Sequence, residues 1–286
     1  TAFVMMTFVI GLTGYAAALI AQNLGAGNKE RCALVLTQAL LVAVVAYPLI
    51  VACRPLAHML FAHSGISAAQ LEPQKLYFDI LVWACIAGLL RNCLSSFFSG
   101  IGRTRVVMLA SLTTMSVNVL VNYVLVFGKF GFPALGIRGA AYGTIIGAVC
   151  GVLVLVVAYF SKANRTEFGV ARSFRFDGLA MRRLMWFGYP AGFELFLNMV
   201  AFDCLVLIFH SVDEVAATAS TILFNWDMVS FVPLIGVEVG VTSLVGRYLG
   251  ARDPDTAQRA TFSGLKLGMI FSVVILILFV GFPALL

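Results

Sequence analysis

Apolar residues gather into eight long runs, roughly 2–23, 33–53, 76–98, 106–127, 136–160, 184–209, 215–246 and 261–284. A run of about 20 apolar residues is the length at which one α-helix crosses the hydrocarbon core of a bilayer. Short polar stretches punctuate the runs, among them GAGNKER, GIGRTR and GARDPDTAQR. One connection is longer, Ser161–Arg183, and it is basic. Within it, Asp177 is placed to cap a helix that starts at Gly178 and continues through Arg182 and Arg183. The pattern predicts an all-α chain of about eight spans.

Composition agrees. Hydrophobic residues make up 61% of the chain and charged residues 11%, with a mean hydropathy of +1.00. Soluble domains carry about 25% charge, so the class is a polytopic membrane protein. The net charge of +6 then belongs to loops beside anionic lipid rather than to nucleic-acid binding. Basic residues follow the odd-numbered runs: Lys29, Arg31, Arg103, Arg105, six within Ser161–Arg183, then Arg247, Arg252 and Arg259. The alternate loops hold only Arg54, Lys75, Lys129 and Arg138, so the first set faces the cytoplasm. The six cysteines form no CxxC pair and read as small buried hydrophobes. His58, His63 and His210 sit at span ends without the spacing of a metal site, so neither a metal nor a cofactor is expected. The chain opens at Thr1 inside an apolar run and reads as a fragment.

A repeat organises the rest. Leu19–Ala33, LIAQNLGAGNKERCA, aligns with Leu244–Gln258, LVGRYLGARDPDTAQ, at an offset of 225 residues. Leu24-Gly25-Ala26 falls on Leu249-Gly250-Ala251, and Gly11 on Gly236. Six spans separate the copies, so both point the same way. That describes a two-lobed, parallel six-span repeat about an axis along the membrane normal, incomplete here and holding spans two to nine. The expected division is 1–160 for one lobe, 161–183 for a cytoplasmic linker and 184–286 for the start of the other. In the sixth span Gly139, Gly143, Gly147 and Gly151 recur every four residues and form a groove for close helix packing.

Polar residues inside spans mark the candidate site. Glu194 and Asn198 lie four apart on one helix face, Asp203 follows on another, and the next span adds Asp227 and Glu238. A carboxylate within a span is costly unless it meets a partner or a water-filled cavity. Counting at about 1.5 Å per residue puts Glu194 and Asp227 near mid-bilayer, Glu238 closer to the inner face and Asp203 toward the outer. Asn118 and Asn122 present a second polar face, equally suited to coordinating an ion or to clamping two helices. Asp79 and Gln38 are weaker candidates. Phe196, Phe202, Phe224 and Trp226 have the chemistry to line a cavity for flat cations.

Three stretches together resemble the multidrug and toxic compound extrusion (MATE) transporters. They are the repeated LGAG/LGAR turn; Gly100–Gly147 with GIGRTR, NVLVNYVLVFG and GFPALGIRGAAYGT; and GYPAGFELFLNMVAFD followed by FVPLIGVEVGVTSLVGRYLGA. The resemblance covers essentially the whole chain. It implies a twelve-span exporter of organic cations or drugs that alternates between inward- and outward-open states, driven by H+ or Na+ antiport. The implied setting is the plasma membrane, in a bacterium the cytoplasmic membrane. The implied partners are the bilayer and small cationic substrates, with no nucleic acid, and the implied state is a monomer. Where many members carry an acid eight residues after the proline of span seven, this chain has Asn198, and Glu194 one turn earlier stands in. Asp203 matches a second acidic position of some members. Asn118 matches a polar position, and Asn122 stands where some members carry Asp. Arg103 and Val107 depart from the usual loop.

Two other classes compete. A lipid-linked oligosaccharide flippase of the same superfamily has an anionic cargo and calls for a basic cavity, whereas the mid-span charges here are mainly acidic. An intramembrane enzyme needs a serine and histidine at one depth, or HExxH; neither is present, so the chain is not expected to be an enzyme.

Overall fold

The structure, a computed structural model, describes residues 2–62, 68–131, 133–212 and 214–281. Among the described residues every regular element is helical, and 8 spans are long and apolar enough to cross a membrane. The first is α1 (Ala2–Gly14) continued after a break at Tyr15 by α2 (Ala16–Gly25). Then come α3 (Lys29–Ala52), the short α4 (Arg54–Ala62), α5 (Ala68–Gly100), α6 (Thr104–Phe127) and α7 (Ile137–Tyr159). A short α8 (Lys162–Phe168) and a 3-10 turn lead to α9 (Gly178–Val212), α10 (Glu214–Gly250) and α11 (Pro254–Gly281).

Several helices start before the apolar runs because polar loop residues cap them. Asp177 Oδ1 accepts the Ala180 N–H at 2.8 Å, so α9 begins at Gly178. Asp253 Oδ1 likewise accepts the Thr256 N–H at 3.0 Å, with Pro254 in the first turn of α11. Three inner turns share one backbone form. The N–H groups of Asn28, Arg103 and Asp253 reach back to Asn23 O, Phe98 O and Tyr248 O at 2.9, 2.8 and 3.0 Å. The preceding residues, Gly27, Gly102 and Arg252, take positive φ of 77°, 77° and 61°.

The glycine groove of α7 receives α6. A Cβ on Gly139 would lie 2.7 Å from Leu125 O, one on Gly147 2.7 Å from Thr114 O, and one on Gly143 would overlap the Asn122 side chain. An aromatic cluster fills the inner end of this first helix group, with Phe97 meeting Phe98, Tyr159 and Phe168 edge-on at 5.4, 5.1 and 5.5 Å. Phe168 belongs to the linker, which is bound down here. Lys29 Nζ and Arg103 Nη2 bond the Glu167 carboxylate at 2.9 and 2.7 Å, and Arg103 also bonds Asn164. Lys29 and then Arg103 hold the Glu167 carboxyl below its usual range. Fully buried Gln38 donates to Arg175 O at 2.9 Å and accepts from the Asp177 N–H at 3.3 Å.

At the opposite end, α4 occupies what the apolar pattern leaves as loop. It docks on α5 through Asp79, whose carboxylate takes two bonds from Arg54, at 2.9 and 2.8 Å, and one contact with His58 at 2.8 Å. Among the described residues no cluster has the makings of a metal site. His63 lies outside the described residues, and nothing is described of the His210 side chain.

Candidate functional site between the helix groups

Helices α9, α10 and α11 form a second group, joined to the first along two seams. In one, α1 and α9 run antiparallel with their backbones in contact. A Cβ on Gly11 would lie 2.6 Å from Ala191 O, one on Gly188 2.6 Å from Leu12 O, and one on Gly192 2.5 Å from Phe8 O. Only glycine admits so close an approach. Tyr15 stacks on Phe187 at 6.1 Å, and Phe8 meets Tyr189 edge-on at 5.7 Å, covering the flanks.

The second seam joins the inner ends of α2 and α10. Gly25 lies against the carbonyl of Arg247, and Gly250 against the carbonyl of Gln22; a Cβ on either would overlap that oxygen. The repeat offset that carries Gly25 onto Gly250 also carries Gln22 onto Arg247, so the contact is its own image. At its centre Ala21 faces Gly246, another related pair, with 3.0 Å between the Ala21 Cβ and the place of a Cβ on Gly246. Both helices end at this crossing, so their inner termini meet in the parallel sense that the repeat predicts. Ser243 Oγ adds a bond to Ser99 O at 2.8 Å, tying α10 to α5.

The acidic candidates lie above this closure. Phe202 of α9 packs edge-on against Phe224 of α10 at 4.9 Å, which sets the register of the two helices. Asn198 and Asp227 each stand about one turn inward from that ring pair, at one depth, and Glu194 stands one turn further in. Asn198 donates to the backbone carbonyl of Glu194 at 3.1 Å. Glu194, Asn198, Asp227 and Glu238 are all exposed, and among the described residues no side-chain bond joins any two of them. Asp227 and Glu238 are eleven residues apart, about three turns, and so share one face of α10. Asp203 is half-buried one turn further out on α9 than Met199. Trp226 meets Phe279 of α11 at 6.3 Å.

Asn118 and Asn122 stand elsewhere. Helix α6 packs on α5 and α7, and both side chains turn into the α7 groove. Asn118 Nδ2 donates to Thr144 Oγ1 at 3.3 Å and Asn122 Nδ2 to Asn118 Oδ1 at 3.1 Å, while the buried Asn122 Oδ1 faces Gly143. The Asn118–Thr144 bond ties α6 to α7, and the Asn122–Asn118 bond runs along α6. Polar links that the sequence reading passed over include Asn92, which joins α5 to α1 through Ile10 O and Thr13 Oγ1, both at 3.0 Å. A lone amide within an apolar run was the available signal.

Comparison with known proteins fixes the family. The MatE family model matches residues 1–124 and 190–286, together most of the chain. The chain belongs to this family, the MATE transporters. Its members are transporters rather than enzymes, and the eight spans make this chain an integral, multi-pass membrane protein. Among the curated MATE relatives, a "Probable multidrug resistance protein NorM" of Thermotoga maritima is 27% identical over 98% of this chain. The chain spans 60% of that relative's length. Among solved structures, the "Outward-facing conformation of a multidrug resistance MATE family transporter of the MOP superfamily" matches with a TM-score of 0.87 at 19% identity, covering 98% of this chain and 62% of that one. A MOP superfamily transporter from Pyrococcus furiosus, described as having a binding pocket of reverse polarity, matches with a TM-score of 0.84 at 18% identity over 96% of this chain and 61% of that one. These likenesses establish the two-lobed MATE fold.

Proposed function

We propose that the chain is the larger part of a secondary active exporter that moves organic cations or drugs outward, in exchange for H+ or Na+, by alternating access. The observation that carries this reading is the self-matching crossing of Gly25 and Gly250. It joins the inner ends of the two helix groups through small residues whose backbones lie in close contact. Such a contact can part and re-form as rigid groups rock, as hinge and shear motions require. The lobes in this reading are 1–160 and 184–286, with 161–183 as the linker held to the first. The multidrug names of the NorM relatives support the cargo class.

Glu194 and Asp227 carry the switch, with Asn198 level with Asp227 and Asp203 and Glu238 marking the outer and inner approaches. An exposed carboxylate in hydrocarbon costs about 3 kcal/mol, so these side chains face a cavity completed by spans that the longer relatives possess. Binding of the coupling cation to the acids neutralises them, and its release restores a site for a cationic substrate. Coupling follows if each ligand prefers a different state of the seam. No cofactor is required, and one copy suffices.

Efflux of a cationic dye from proteoliposomes under an imposed cation gradient tests the reading. Glu194→Gln keeps shape and most hydrogen bonding but loses the titrating charge, as does Asp227→Asn. At least one of the two is expected to abolish gradient-driven efflux while the protein still reaches the membrane. Normal efflux in both single variants and in the double variant would place coupling elsewhere.

A further inference from the structure

A cavity of about 440 Å³ opens at the inner end of the seam, outside the acidic site. Its polar lining is Gln22 and Asn23 from α2, Asn28 and Arg31 around the start of α3, and Asp177 and Arg183 around the start of α9. Gly250 of α10 completes the wall, so both helix groups contribute. Arg31 and Arg183 are exposed, and neither has an ion-pair partner among the described residues. The carboxylate of Asp177 is already engaged as the cap of α9. Two free guanidiniums against one committed carboxylate leave the cavity positive, with side-chain amides around them. Depth narrows the ligand. Trp186, 73% exposed one turn from Arg183, has the place of an aromatic-belt residue, at the level of lipid head groups. Arg183 therefore sits at the level of phospholipid phosphates on the cytoplasmic side.

We propose that this cavity binds a phosphate group of net negative charge, whether the head group of an anionic phospholipid or a free phosphate, and that occupancy favours the closed inner seam. Guanidinium forks match phosphate oxygens in geometry as well as charge. Closure follows because the wall is complete only while Gly250 lies against Gln22. That second half rests on the gating reading above; the binding does not.

Thermal unfolding of the purified protein in neutral detergent provides the test. Short-chain phosphatidylglycerol is expected to raise the melting temperature by about 5 °C at saturation, through mass action on the folded state. Phosphatidylcholine of equal chain length is expected to leave it unchanged. Inorganic phosphate distinguishes the sources: an equal rise with phosphate assigns the site to the free anion, and no rise assigns it to lipid. The double variant Arg31→Gln/Arg183→Gln should lose the response, whereas Arg105→Gln, on the same face outside the cavity, should keep it. Should the double variant fail to fold, Arg31→Lys and Arg183→Lys retain the charge but lose the fork, and each is expected to raise the half-saturating concentration severalfold. An equal response to phosphatidylcholine, an undiminished response in the arginine variants, or an equal loss in Arg105→Gln would overturn the site. Faster oxidative cross-linking of an Ala21→Cys/Gly246→Cys pair with phosphatidylglycerol is expected from the closing role, and an unchanged rate would remove that role.

Discussion

Arg252 holds a left-handed backbone, φ 61°, at the turn where Gly27 in the other repeat copy holds 77°. A side chain at positive φ costs roughly 1–2 kcal/mol that glycine does not incur. Arg252→Gly is therefore expected to raise the thermal midpoint by stabilising the fold by about 1 kcal/mol. An unchanged or lower midpoint would show that the arginine's own contacts outweigh the strain. The sequence aligned these two positions but could not report that the second copy keeps the turn with arginine in place of glycine. Arg103 carries a similar lesson. It departs from the usual family loop, and its guanidinium binds Glu167 and Asn164 and lies over Phe168 at 5.8 Å. All three partners lie more than sixty residues away, and no local pattern announces them.

Among the elements, the packing face of α7 was the most legible, because glycine every four residues marks a face where a backbone comes close. Which helix comes close was not written in the spacing. The structure shows that it is α6, and that its Asn118 and Asn122 occupy the groove. Gly143→Ala places a methyl where the Asn122 side chain lies, and overpacking of this kind costs about 1–3 kcal/mol. Thermal unfolding should register that loss, and combining Gly143→Ala with Asn122→Ala should recover part of it. Additive losses would mean that the two side chains do not compete for space. Helix α4 was not legible: nine residues between two spans are too short for periodicity to stand out. Its anchor, Arg54 on Asp79, joins charges that the sequence left on separate elements.

At the scale of the whole molecule, the 225-residue offset proved the most informative reading, since it names both sides of the inner seam in advance. Eight apolar runs became eight spans among the described residues. The acidic site was legible only as residue types at a depth. Glu194, Asp227 and Glu238 find no ion-pair partners among the described residues, and this chain spans 60% of its Thermotoga relative, so in the proposed reading the remaining walls of their cavity come from the rest of the longer protein. The proposed gate at the Gly25–Gly250 seam must open in each cycle. Ala21 and Gly246 face each other across it with 3.0 Å between their Cβ positions, so a shift of about half an ångström brings a cysteine pair to the roughly 3.5 Å short end of the disulfide range. In a protein whose six native cysteines are replaced, efflux by the Ala21→Cys/Gly246→Cys variant should stop on oxidation and return on reduction, while each single-cysteine variant stays active throughout. Undiminished efflux with the disulfide fully formed would contradict the gate.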